Sequence, residues 1–95
     1  MPKATHASAA RRLEDIPNIG PALARDLRSV GIDAPARLKR RNPFKLYQQL
    51  NIASGMRHDP CVLDTFMAAV DFMNGNSPAP WWHFTPKRKQ LHPNL

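Results

Sequence analysis

Residues Leu13–Ile32 read LEDIPNIGPALARDLRSVGI, and this stretch decides the fold. A short run before Ile16 and a longer run after Gly20 carry apolar residues at helical spacing, with a tight turn between them. Pro21 suits a first helical position, and Leu23, Ala24, Leu27 and Val30 form one apolar stripe. Arg25, Arg28 and Ser29 face away, and Gly31 supplies the left-handed residue that closes the helix. In the turn Pro17, Asn18, Ile19, Gly20, the Asn and the Gly tolerate positive φ, and Ile19 between them is placed to point inward. The exposed N–H groups of Asn18, Ile19 and Gly20 then converge on the start of the second helix. That geometry suits a phosphate oxygen and is blind to base identity.

Outward from the turn the pattern stays helical, and no alternating run makes a convincing strand. Roughly residues 7–14 form the first of five expected helices, and residues 21–30 the second. Asp33 is positioned to cap a third that carries Leu38. Asn42 followed by Pro43 caps a fourth with Phe44, Leu46, Tyr47 and Leu50, and a loop from Asn51 to His58 follows. Asp59 and Pro60 open the longest helix, which runs to about Asn74 and Gly75. At 100° per residue Val62, Leu63, Phe66, Met67, Ala69, Val70 and Met73 share one face of it. Asp64, Ala68 and Asp71 fall opposite, and Phe72 lies off the main stripe.

From Asn76 onward the prolines at 78, 80, 86 and 93 predict an extended tail holding Trp81, Trp82 and Phe84. The expected organisation is a flexible N-terminus (1–8), one helical domain (9–75) and an extended basic, aromatic tail (76–95). A chain of 95 residues and 10.7 kDa supports one small core. Its 42% hydrophobic content places it outside the disordered class.

The net charge is +7 and the isoelectric point near 10.6, which favours a polyanionic partner. Residues 1–57 hold 11 basic and 4 acidic groups. Residues 58–75 carry Asp59, Asp64 and Asp71 with no Lys or Arg, and the tail carries Lys87, Arg88 and Lys89. Arg37, Lys39, Arg40, Arg41 and Lys45 concentrate charge at the junction of the third and fourth expected helices; with Arg25 and Arg28 they suggest a face that tracks phosphates, against the alternative of a solvated charge run. A single cysteine, the absence of an apolar leader and the lack of any run near the ~20 residues of a membrane helix lead to an expectation of a cytoplasmic protein without membrane contact.

The turn and its flanks resemble the helix-hairpin-helix motif, whose turn has the pattern Pro-Gly-hydrophobic-Gly and whose second helix ends in Gly-Ile. Asn18 stands in place of the first Gly, and Ala22 where DNA-binding members often carry Lys or Arg, so Arg25 and Arg28 are the available substitutes for that contact. With GIDAPARLKRRNPFKLYQQLN (31–51), GMRHDPCVLDTFMAAVDFMNG (55–75) and PWWHFTP (80–86), the resemblance extends over about residues 10–88. Over that span the chain is similar to a small bacterial helix-hairpin-helix family labelled pathogenicity-locus or mitomycin-resistance protein. The resemblance implies an all-α, SAM-like helix-hairpin-helix domain, presumed to bind DNA, with no established enzymatic activity.

His58 and Cys61, three residues apart with His83 as a third candidate, fall short of the four ligands a closed zinc site wants. A Cys–His nucleophile pair lacks an oxyanion-hole signature and a third member, although Cys61 at a helix start invites a depressed thiol pKa. Trp81, Trp82 and Phe84 beside the tail cations fit either a stacking surface for single strands or a cover for the core around Phe72. The expected function is a non-enzymatic accessory, without cofactor or metal, that binds nucleic-acid backbone through Asn18, Ile19, Gly20, Arg25, Arg28, Arg40 and Arg41. The rival is an adaptor that keeps the fold and docks a protein or a second copy of itself.

Overall fold

In the computed structural model, which describes residues 2–95, the chain is all-helical: four α-helices and four short 3-10 turns, with no strand among the described residues. Helix α1 spans Pro21–Ser29. It closes as the sequence predicts, with Gly31 at φ 88, Gly31 N–H donating to Arg28 O at 3.1 Å and Ile32 N–H to Leu27 O at 3.0 Å. This paired closure joins two buried side chains, Leu27 and Ile32, across the helix end.

Helix α2 spans Pro43–Ser54 and is capped by Asn42, whose Oδ1 accepts from Phe44 N–H at 2.9 Å and Lys45 N–H at 3.3 Å. It runs into the stretch expected as loop and stops at Gly55, φ 69. Helix α3 spans Pro60–Met73, capped by Asp59 through Cys61 N–H at 2.9 Å and followed by Gly75 at φ 105. Two local expectations are corrected. The first helix is two separate 3-10 turns, Ala7–Ala9 and Leu13–Asp15. The third is the 3-10 turn Pro35–Leu38, whose N-cap is Ala34; Asp33 instead pairs with Arg37 at 2.8 Å.

The tail is the larger correction. After Pro80 the chain forms a 3-10 turn, Trp81–Phe84, that runs directly into helix α4, Thr85–Leu91. Pro86 lies in the first turn of α4, where a missing N–H costs no intrahelical bond. Both C-terminal elements pack on α3, which also contacts α2 and the Pro35–Leu38 turn. Helix α3 is therefore covered on more than one side, and Asp64, Ala68 and Phe72, all off its main stripe, are buried. The core joins Leu13, Ile16, Ile19 and Leu27 from the first half to Tyr47, Phe66, Phe72 and Met73 from the second.

Of residues 1–8, expected to be a flexible lead, Met1 lies outside the described residues, and Lys3 and Ala4 are bonded to the turn region. Ala4 N–H donates to Asp15 O at 2.8 Å, and Lys3 Nζ donates to the carbonyls of Glu14 and Ile19. No helix among the described residues is long and apolar enough to cross a membrane.

Candidate nucleic-acid interface

The turn 16–20 is built as a left-handed corner on a buried pin. Asn18 takes φ 73, and Ile19 is wholly buried. Gly20 does not share the positive φ expected of it: at φ −91, ψ −176 it is extended and forms the N-cap of α1. Apart from its two chain neighbours, no residue comes within 4 Å of where a Cβ on Gly20 would stand, so the space over it is open. The Asn18 side chain is turned back into the protein, its Nδ2 donating to Ala79 O at 2.9 Å, which ties the turn to the start of the tail.

The backbone donors differ from the expected set. Ile19 N–H donates to Ile16 O at 3.1 Å and is already used inside the turn. The first amide of α1 with a helical acceptor is Ala24, bonded to Gly20 O at 2.9 Å. Pro21 has no N–H, so Ala22 and Leu23 supply the amides without an intrahelical partner, and no side chain caps this end. The helix dipole adds partial positive charge at the same place.

Arg25 is exposed on α1. Arg28, on the same helix, is held by Glu14, with Nη2 2.9 Å from Oε1 and Nη1 3.4 Å from Oε2, an ion pair that fastens the 3-10 turn Leu13–Asp15 to α1. The Arg28 hydrogen bond holds the Glu14 carboxyl below its ordinary value. Asp15 is lowered as well, chiefly because the Arg12 and then the Arg11 backbone N–H donate to it, at 2.9 and 3.0 Å. Of the two arginines expected to reach phosphate from α1, one is thus engaged in the fold.

Arg40 and Arg41 stand elsewhere, around the C-terminal end of α3. Arg40 has φ 60 and its N–H donates to Asn74 Oδ1 at 2.8 Å. A cleft of about 620 Å³ brings Arg40 and Lys39 together with Ala7, Ser8, Met73 and Asn74. On the other side of Asn74, Arg41 and Lys87 line a depression of about 290 Å³ with Asp71 and Phe84. Arg41 Nε donates to Arg37 O at 3.0 Å. Cations here oppose the negative end of the α3 dipole, which gives them a structural role as well. Neither cleft contains a residue of α1, so the expected residues fall into two groups: the turn with Arg25, and Arg40 and Arg41, which the structure sets beside Lys39 and Lys87. The sequence places Lys87 with the aromatic tail and gives Lys3 no role; that Lys87 stands beside Arg41 and Lys3 reaches the turn depends on long-range packing of the two chain ends.

His58 and Cys61 remain apart in role. His58 Nδ1 lies 2.8 Å from Asn51 Oδ1, the same oxygen accepts from His58 N–H at 2.9 Å, and the Tyr47 hydroxyl donates to His58 O. The Cys61 thiol is shifted upward, first by burial and then by its hydrogen bond with Asp59, opposite to the lowering expected of a helix start. No group of three or more His, Cys, Asp or Glu side chains converges among the described residues.

Residues 6–90 match the protein family described as pathogenicity locus. Over 79 residues the chain is 46% identical to mitomycin resistance protein McrB of Streptomyces lavendulae, an alignment covering 83% of this chain and 75% of that protein. No solved structure matches. On a match that takes in most of its length, the chain belongs to the pathogenicity-locus family.

Proposed function

We propose that the chain is a SAM-like helix-hairpin-helix protein that binds nucleic-acid backbone without reading base sequence, as a non-enzymatic accessory. The observation that carries this reading is the uncapped N-terminus of α1 behind an open Gly20, where Ala22 and Leu23 amides stand without helical acceptors. Arg25 adds a charge on the same helix. The Lys39, Arg40, Arg41 and Lys87 cluster supplies a second cationic contact region, in keeping with the net charge of +7. The phosphate-binding set of the sequence is thereby revised: Gly20 and Arg25 stay, the Ile19 amide gives way to those of Ala22 and Leu23, and Arg40 and Arg41 act as a separate group.

The test is fluorescence anisotropy of labelled duplexes of unrelated sequence over a series of salt concentrations. Contact with four to six phosphates gives a log–log slope of roughly −3.5 to −5.5 on a duplex and affinities of order 10⁻⁴ to 10⁻⁶ M at physiological salt. The slope becomes shallower in Arg25→Ala and in Arg40→Ala/Arg41→Ala. Binding unaffected by either variant sinks the reading.

The adaptor reading is favoured by one observation: Ile52 and Met56, at the end of α2 and just beyond it, are 82% and 60% exposed. Absence of nucleic-acid binding together with a protein complex lost in Ile52→Ser would move that reading to the front. The resistance named for the Streptomyces lavendulae relative extends to this chain as a proposal, checked by whether host cells carrying it tolerate more mitomycin than cells carrying the Arg40→Ala/Arg41→Ala variant.

A further inference from the structure

Trp82 is 62% exposed, although it belongs to a 3-10 turn that packs on the longest helix. Its backbone is thus placed by the fold while much of its indole faces solvent. Trp81 meets it edge-to-face at 5.8 Å and 87°, a contact that occupies at most one face of the Trp82 ring. The exposed residues that follow it in the chain include cations. Lys87 and Lys89 are exposed on α4, the adjacent His83 is exposed, and the carboxylate of Asp64 is taken up by Arg88 and Thr85.

The position of this ring relative to the turn gives it a ligand. Asn18 bonds to Ala79, and the three residues from Ala79 to Trp82 span at most about 11 Å. The Trp82 backbone therefore lies within the span of a few nucleotides of a phosphate at the α1 N-terminus. Only an unpaired base can offer its face, because bases within a duplex are stacked on one another, whereas single strands stack readily on exposed aromatics beside cations. We infer that Trp82 is a stacking platform for an unpaired base, so that the preferred ligand is DNA with a single-stranded segment running from the strand whose phosphate the turn holds. The inference rests on the proposed reading of the turn.

The experiment uses the full chain carrying Trp81→Phe, which leaves Trp82 as the sole tryptophan, titrated with a blunt duplex, the same duplex with a single-stranded dT tail, and a free dT strand. The expected result is quenching of Trp82 emission by the tailed DNA and the free strand, with the tailed duplex bound roughly 5- to 100-fold more tightly than the blunt one. In the chain that keeps Trp81, Trp82→Ala abolishes that preference without loss of helicity, and Trp82→Phe retains most of it. Equal binding of blunt and tailed DNA, unchanged by Trp82→Ala, overturns the platform and leaves the phosphate reading standing. Absence of binding to all three overturns both. Quenching by the dT strand that persists in Gly20→Val supports the platform and removes the turn from it.

Discussion

Arg88 Nε lies 2.8 Å from Asp64 Oδ1, and this ion pair joins α4 to the buried side of α3. Asp64 is fully buried and the Arg88 side chain is 10% exposed; Thr85 Oγ1 donates to the other carboxylate oxygen at 2.7 Å. The hydrogen bond to Asp64 raises the Arg88 pKa, so the arginine stays charged at every accessible pH. A buried pair of this kind contributes little against an apolar replacement but makes removal of one partner expensive. Arg88→Ala is expected to destabilise by about 3 kcal/mol by stranding the carboxylate, and Arg88→Met/Asp64→Leu by much less. Chemical denaturation of the three chains checks this, and equal losses in single and double variants would contradict it.

The acidic groups set the response to pH. Glu14, Asp15 and Asp59 all have folded pKa values below their ordinary ones, through Arg28, the Arg12 amide and the Cys61 amide respectively. Their stabilising contribution is present above the ordinary carboxylate range, near pH 4, and is lost as pH falls through the depressed folded values. Stability is therefore expected to drop below about pH 4, and Glu14→Gln to weaken that dependence. Urea unfolding across pH 2–7 checks it. A variant with an unaltered profile would mean that the Glu14–Arg28 pair is not maintained in solution.

Cys61 is expected to be a sluggish nucleophile. Because burial raises its thiol pKa, the thiolate is scarce at neutral pH, and alkylation by iodoacetamide should be slower than that of a free thiol and accelerate as pH rises past the usual thiol range. Rapid labelling at pH 7 would contradict its half-buried placement.

Ala22 marks a contact that a basic residue would add. Ala22→Lys, exposed in the first turn of α1, is expected to tighten DNA binding several-fold and to steepen the salt slope by about 0.9, one further phosphate neutralised. An unchanged slope would place the DNA away from this end of the helix.

Much of the fold was legible because its signals are local. Gly31, Asn42 and Asp59 stop or start helices by interactions within a few residues of themselves, and Ile19 is buried as the turn pattern predicts. Asp64 was misread because an acid on a helix defaults to solvent, and only Arg88, distant in sequence, reverses that default. Helix α4 was hidden by prolines, which rule out helix interiors but not first turns. At the candidate site the residue types were legible, but the engagements were not: Glu14 holding Arg28 and Asn74 fixing Arg40 are settled by packing, and the Ile19 amide is taken by Ile16 O within the turn itself.

The most direct test of the turn as a phosphate site is the affinity of Gly20→Val for duplex DNA at low salt, because Gly20 is extended and a Cβ there has open space around it. With helicity and thermal midpoint close to those of the parent, a loss of binding of tenfold or more is expected, since the new side chain stands where the phosphate must approach. Binding equal to that of the parent would show that no phosphate comes close to Gly20 and would contradict the account.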